Sequence, residues 1–401
     1  MSKKEKMALM PKLRFPEFKT NGEIICENGN LLFEPISNKD KNSDLPVLAI
    51  TQEYGAIPRD QIDYNVSVTD KSLESYKVVE VGDFIISLRS FQGGIEYSVF
   101  HGICSPAYII LRKKIDIVEQ YYKYYFKTIK FIQDLNKDLK GIRDGKMVSY
   151  SQFSSILLPK PDNKEQKKIA DCLSSIDELI AAEDKKLLAL RTHKKGLMQK
   201  LFPAEGETVP EWRFPEFKDA GEWSTYSVKD FAKVTTGNKD TQNKIDNGKY
   251  PFFVRSQTVE KINSYTFDCE AILTSGDGVG VGKNFHYIAG KFDFHQRVYC
   301  IYDFSKQVCG KFIFQYFSEH FNKRVMQLSA KNSVDSVRMS MITEMPISLP
   351  CIKEQQKTAT VLSSIDDLIT AQAEKIDVLR AHKKGLMQGL FPSIEEVGEW
   401  A

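Results

Sequence analysis

The chain has 401 residues, 42% of them hydrophobic and 27% charged, a length that suggests two to three globular domains. No apolar run approaches the ~20 residues of a membrane span, and the Met-Ser-Lys-Lys-Glu-Lys start is not followed by an apolar signal core, so a cytoplasmic protein is expected. Seven cysteines without a Cys-x-x-Cys pair indicate neither a disulfide framework nor a zinc site, and a net charge of +3 supports nucleic-acid contact only if Lys and Arg gather on one face.

The first element in the chain is a short motif, Arg14-Phe-Pro-Glu-Phe-Lys19. A variable segment follows, over about 20–161. In it Leu45-Pro-Val-Leu-Ala-Ile50 predicts a buried strand. Val78 to Ser87 predicts a turn at Gly82-Asp83 feeding a second strand, and Ala107 to Arg112 predicts a third. Glu119 to Leu139 is aromatic and amphipathic, with Tyr122, Tyr125, Phe126, Ile129 and Ile132 near one face, which predicts a helix. Ile156 to Pro159 is a last short strand.

A long helix is predicted next, over 163–203. Ile169, Leu173, Ile176, Ile180, Leu187, Leu190, Leu197 and Leu201 recur at steps of four and three, with Glu183 and Lys194 filling the gaps. Such spacing keeps a narrow apolar seam on one side of a helix, as in coiled coils. Asn163 is the expected N-cap, with Gln166 three residues on, and Pro203 forbids continuation. About 38 residues at ~1.5 Å each make a rod of about 57 Å, too long for one small domain. The acids Asp162 and Glu165 fit the positive end of the helix dipole, and His193 fits the solvated face near the other end.

The whole order then recurs. Arg213-Phe-Pro-Glu-Phe-Lys218 repeats the motif, and a variable segment spans about 222–351. It predicts strands at Tyr250 to Val254, Ala271 to Thr274 and Arg297 to Tyr302, with the glycine-rich turn Gly276-Asp-Gly-Val-Gly-Val-Gly282 after the second. An aromatic helix at Lys311 to Leu328 and a strand at Ile347 to Pro350 lead into a second long helix at 352–392. Its seam is Leu362, Ile365, Ile369, Ile376, Leu379, Leu386 and Leu390, with Thr358, Gln372 and Lys383 as polar members, and His382 and Pro392 close it. The two helical stretches are identical at roughly two-thirds of about 40 positions. Leu173-Ser-Ser-Ile-Asp177 matches Leu362-Ser-Ser-Ile-Asp366, and His193-Lys-Lys-Gly-Leu-Met-Gln199 matches His382-Lys-Lys-Gly-Leu-Met-Gln388. Each seam needs a partner, and the other copy supplies one. The rival reading is two unrelated surface helices docked on their own domains.

No catalytic constellation stands out. Gly276 to Gly282 before Lys283 lacks the first glycine of a phosphate loop and the Ser/Thr after its lysine. Asp162, Glu165 and Lys167 are too close together for a nuclease centre. The chain has no Pro-Pro dipeptide, so the Asn/Asp-Pro-Pro-aromatic motif of amino-methyltransferases is absent. His101, His286 and His295 have no partners at metal spacing.

What recurs is polar and basic side chains on predicted loops: Arg89, Ser90 and Gln92 after a strand, and Lys140, Arg143 and Lys146 after the aromatic helix. The second segment offers Arg255, Gln257, Lys283, Asn284, His295, Gln296, Arg297, Lys331 and Arg338. Arg and Lys read guanine edges, Asn and Gln read adenine, and Ser, Thr and backbone amides hold phosphates. Gln296 and Arg297 suit base reading, while Lys283 and Lys331 suit a phosphate chain. The alternative for Arg297 is an internal pair with Asp293 or Asp268.

On the twin Phe-Pro-Glu-Phe motifs, the twin Ser-Ser-Ile-Asp helices and their twin His-Lys-Lys-Gly-Leu-Met-Gln ends, the chain resembles the specificity subunit of type I restriction-modification systems over essentially its whole length. The resemblance implies an α+β fold with an internal pseudo-twofold repeat. Two mixed α/β target-recognition domains, within 1–161 and 204–351, would be separated by two long antiparallel coiled-coil helices, within 162–203 and 352–401. It implies double-stranded DNA as a partner, each domain reading half of a bipartite, asymmetric site. Two methyltransferase subunits would dock on the helices and restriction subunits would join them. The chain itself would have no active site and no cofactor; S-adenosylmethionine, ATP and Mg would be used by the partner subunits. One local difference is that the second segment opens Gly221-Glu-Trp223 and the first Thr20-Asn-Gly-Glu-Ile. Two readings from other classes are an enzyme in its own right, a nuclease or methyltransferase, and a coiled-coil scaffold with two protein-binding domains.

Overall fold

The computed structural model describes residues 8–39, 44–62, 75–137, 148–329 and 336–392. By packing, the chain divides into two units, residues 1–184 with 375–401 and residues 185–374. This differs from the serial division at 161, 203 and 351. Each long helix, Asn163–Leu201 and Ile352–Leu390, contributes one half to each unit. Among the described residues no helix is long and apolar enough to cross a membrane.

The first unit is built on short sheets. Ile24–Asn28 lies between Ala8–Leu9 and Leu157–Lys160, and a four-stranded sheet runs Phe33–Ile36, Ile109–Lys113, Phe84–Ile86, Glu96–Tyr97. Two antiparallel pairs complete it, Leu48–Thr51 with Gly55–Pro58 and Lys77–Val79 with Gly102–Cys104. Its core is dominated by rings: Phe33, Phe84, Tyr121, Tyr122, Phe126, Phe131 and Phe153 are all fully buried. Phe126 and Phe131 rings sit 4.6 Å apart, a separation at which aromatic pairs add to their area burial. The helix expected over 119–139 is two helices, Glu119–Tyr125 and Ile129–Asn136. Thr128 caps the second, its hydroxyl accepting from Phe131 N and donating to Tyr125 O at the end of the first, which gives the chain a local alternative to continuing the helix.

The second unit carries a six-stranded sheet in the order Lys233–Thr236, Val298–Tyr302, Phe267–Ser275, Phe285–Phe294, Tyr250–Phe253, Glu260–Ile262. The long strand Phe285–Phe294 has no clear two-residue alternation, because most of its length is half-buried and its Ala289-Gly290-Lys291 stretch interrupts the apolar pattern. The helix Gly310–Leu328 packs Phe312, Ile313, Phe317, Phe321 and Val325 into the core. Ser224–Ser227 pairs with Pro346–Leu349 as Ile24–Asn28 pairs with Leu157–Lys160. The two openings therefore match, Gly22-Glu-Ile24 standing where Gly221-Glu-Trp223 stands in the other unit. Gly22 and Gly221 both adopt positive φ, 73° and 76°, a conformation that favours glycine.

The repeated sequence blocks meet one another. In each unit the arginine of the Phe-Pro-Glu-Phe motif forms a two-pronged pair with the glutamate in the first turn of a long helix. Arg14 binds Glu165 at 2.7 and 2.8 Å, and Arg213 binds Glu354 at 2.8 and 2.7 Å. Both pairs are almost fully buried, at 7% and 1% exposure. Glu165 is thus both an acid in the first turn of its helix and a buried ion-pair partner. The helix is capped by Asp162, whose Oδ1 accepts from Glu165 N at 3.0 Å; Asn163 turns to Asp116 instead. Gln166 and Gln355, both buried, accept from the backbone N–H of Val118 and Cys309 and donate to Pro161 O and Pro350 O.

Within each unit the two helix halves run antiparallel. In the first, Asp177 takes Lys383 and Asp184 takes Arg380; in the second, Asp366 takes Lys194 at 2.7 Å. The aspartate of Ser-Ser-Ile-Asp thus receives the first lysine of the His-Lys-Lys block of the other helix, and also a domain side chain, Tyr124 OH or Gln315 Nε2. Burial varies along the predicted seam. Ile169, Leu173, Leu201, Leu362, Ile365, Ile376 and Leu390 are buried. Ile176, Ile180, Leu187, Leu190, Ile369, Leu379 and Leu386 are half-buried. Leu173 and Leu362 face more than a partner helix: they join the aromatic cores together with Leu390 and Phe391, and with Leu201 and Phe202, respectively.

Candidate nucleic-acid interface

The sheet of the second unit sends its loops to a common end. Residues 254–259 follow the strand Tyr250–Phe253, residues 276–284 join the two longest strands, and residues 295–297 turn back into Val298–Tyr302. Side-chain and backbone bonds tie them together. Asn284 Nδ2 donates to Arg255 O at 3.1 Å and to Ser275 Oγ at 3.2 Å. Gln257 Nε2 reaches Lys283 O at 2.9 Å. Gly276 N donates to Arg297 O at 2.8 Å, and Val337 N to Gly276 O at 2.7 Å. Gly280 must be glycine for Asn284 to reach across, since a Cβ there would lie 2.1 Å from its Nδ2.

The candidates of this unit fall into two groups. Arg255, Gln257, Lys283, Gln296, Arg297 and Arg338 are exposed. Asn284 and His295 are buried, 9% and 3% exposed, and serve inside the loops: His295 Nδ1 accepts from Arg297 N at 2.9 Å. Burial, then the charge of Arg255, hold the His295 imidazole below its ordinary pKa, which keeps Nδ1 available as an acceptor. These two residues shape the surface and do not extend from it. Arg297 pairs with neither Asp293 nor Asp268. Its partner is Asp277, at 2.9 Å, which also holds Arg255 at 2.7 Å. Asp293 instead accepts from Thr266 and Ser264.

Asp277 is the residue that the loop composition concealed. It lies between Gly276 and Gly278 in a turn read for its glycines, and its signal was being the acid of a turn flanked by basic loops. Burial pushes its carboxyl up, but the hydrogen bonds and charges of the two arginines outweigh that and hold it below the usual range. Val279, at the tip, is 95% exposed.

In the first unit Arg89 and Gln92 are exposed on a tight turn after the strand Phe84–Ile86. Ser90 is 1% exposed and accepts from Ser87 N at 2.8 Å, so its hydroxyl closes the turn rather than facing a ligand. Gln52 Nε2 holds Arg89 O at 3.1 Å, bringing the loop tip with exposed Tyr54 near it. Lys140, Arg143, Lys146 and Lys331 lie outside the described residues. Among the described residues no group of three or more His, Cys, Asp or Glu side chains is arranged to hold a metal.

Comparison with known proteins places these features in context. The family model of the type I restriction modification DNA specificity domain matches twice, over residues 17–192 and 220–381. The chain is 27% identical to the type I restriction enzyme MjaVIII specificity subunit of Methanocaldococcus jannaschii over 356 residues, covering 81% of each chain. It is 24% identical to the putative MjaX specificity subunit of the same organism, over 88% of each. Among solved structures, the S subunit of a type I restriction-modification system from M. genitalium superposes with a TM-score of 0.63 at 14% identity, over 96% of this chain and 100% of the other.

Proposed function

This chain belongs to the family of type I restriction modification DNA specificity domains, and from that premise we propose that it is a non-catalytic subunit whose two units each read one half of a bipartite, asymmetric DNA site. The observation that carries the reading is one scaffold bearing two different surfaces. The Arg14–Glu165 and Arg213–Glu354 pairs, the Gln166 and Gln355 clasps and the Asp177–Lys383 and Asp366–Lys194 contacts repeat residue for residue. The loops at 89–92 and at 255–297 do not. Exchange of 222–351 for the corresponding segment of another family member is expected to change one half of the recognised site and leave the other, as read by methylation-sensitive sequencing of cells carrying the partner subunits. A change in both halves, or in neither, would refute two independent readers.

The long helices would dock two methyltransferase subunits, with restriction subunits joining that complex. S-adenosylmethionine, ATP and Mg would be used by those partners. Apolar side chains off the seam support this: Leu179 and Leu368, equivalent positions of the repeat, are 44% and 56% exposed. Surface of that kind repeated at matching places suits two copies of one partner. Leu179→Lys together with Leu368→Lys is expected to cut co-purification of the methyltransferase subunit several-fold while leaving the melting temperature of this chain within a few degrees. Full recovery of the partner by the double variant would remove these positions from the docking surface.

A further inference from the structure

Resting on the reading of the second unit as a DNA reader, we propose that Asp277 is a positioning residue that presents Arg255 and Arg297 as two guanidinium forks for guanine base edges, so that this unit's half-site contains guanine recognised in the major groove. The argument starts from how the pair differs from the chain's structural arginines. Arg14, Arg213 and Arg112 each engage a carboxylate with Nε and Nη2 together, and the carboxylates of Glu165, Glu354 and Asp83 are 1–2% exposed. Such two-pronged pairs use the fork itself up.

Arg255 and Arg297 are held otherwise. Each gives Asp277 only one Nη1 contact, at 2.7 and 2.9 Å, one to each carboxylate oxygen. Their side chains are 44% and 63% exposed, whereas Asp277 is 17% exposed. Among the described residues no further protein acceptor engages either guanidinium, so Nε and Nη2 of both remain to be used. The backbone beneath is fixed by Asn284 at Arg255 O, by His295 at Arg297 N and by Gly276 at Arg297 O. Two rotamer-rich side chains are therefore steadied before any ligand arrives, which lowers the ordering cost of binding.

Guanine fits this arrangement better than a phosphate. Its O6 and N7 take two donors from one guanidinium and carry no net charge. Asp277 cancels one of the two positive charges, so the cluster attracts a phosphate less than two unpaired arginines would. The exposed Val279 adds an apolar tip suited to contact with a thymine methyl group.

The test uses the assembled methyltransferase complex and its own site, determined by methylation-sensitive sequencing. Binding is measured on a panel of single-base variants, on duplexes with each guanine of this half-site replaced by 7-deazaguanine, and at two salt concentrations. Arg297→Ala is expected to reduce discrimination at one G·C pair by about 5- to 150-fold, and 7-deazaguanine at that position should weaken the parent complex but not the variant further. Asp277→Ala should reduce discrimination at the positions served by both arginines, with an unchanged melting temperature and an unchanged pattern in the other half-site. Uniform loss across the panel with a salt slope lower by about one would make the arginines phosphate contacts and overturn the proposal. Uniform loss with a lowered melting temperature would make Asp277 a loop staple and overturn it equally. A parent complex with no sequence preference at all would instead sink the DNA-specificity reading on which it rests.

Discussion

Replacing Leu173 and Leu362 together by aspartate is expected to abolish DNA methylation by the assembled complex. Both side chains are fully buried, each where a long helix enters a domain core that also receives the end of the other helix. Truncation alone, Leu173→Ala, should cost about 2–5 kcal/mol through lost transfer energy and the cavity left behind. A carboxylate in the same place must lose its hydration without a partner, or be neutralised, at several kcal/mol more. Against a stability of about 5–15 kcal/mol, two such changes should unfold both cores. Thermal denaturation by circular dichroism and methylation of the cognate duplex check this. Normal methylation with both aspartates in place would show that these positions do not join helix to domain.

Glu354→Ala is expected to destabilise the second unit by about 3–5 kcal/mol, because it leaves the Arg213 guanidinium buried and unpaired. The pair itself adds less than that figure suggests, since desolvating both ions offsets much of their attraction. Replacing both members by apolar residues, Arg213→Met with Glu354→Leu, should therefore recover most of the loss. Urea denaturation of the single and double variants gives the comparison. A double variant no more stable than Glu354→Ala would mean that the ion pair, and not merely the filling of its site, holds the Phe-Pro-Glu-Phe motif to the helix. The exposed Lys168–Glu17 and Lys357–Glu216 contacts of the same motif should contribute little, as solvent screens them.

The long helices were legible because a seam at steps of four and three is a one-dimensional property of the chain, and nearly 40 residues of it leave little ambiguity. The strands were legible where a short apolar run stood between turn residues, as at Ala107 to Arg112 and Tyr250 to Val254. Phe285–Phe294 was not, because half-buried faces and a central Gly290 erase the alternation. The N-cap shifted by one residue, from Asn163 to Asp162, since either side chain can cap and only the packing of Asp116 against Asn163 chose between them. The exposed members of the loop clusters were recognisable by residue type. The buried ones, Ser90, Asn284 and His295, were not distinguishable from them, because a polar side chain that closes a loop and one that leaves it have the same composition.

By itself the sequence determined the repeat, the two rods, their length, and the family to which these belong, because periodicity and self-similarity are carried by the order of residues alone. Which repeated block touches which was decided by tertiary structure. Asp177 meeting Lys383, Asp366 meeting Lys194, and the motif arginines meeting Glu165 and Glu354 join residues 141–206 positions apart. The pairing of Asp277 with Arg255 and Arg297, rather than of Arg297 with Asp293 or Asp268, was decided there too. Charge pairing falls off with distance in space, and for residues brought together from separate strands that distance exists only once the sheet has formed.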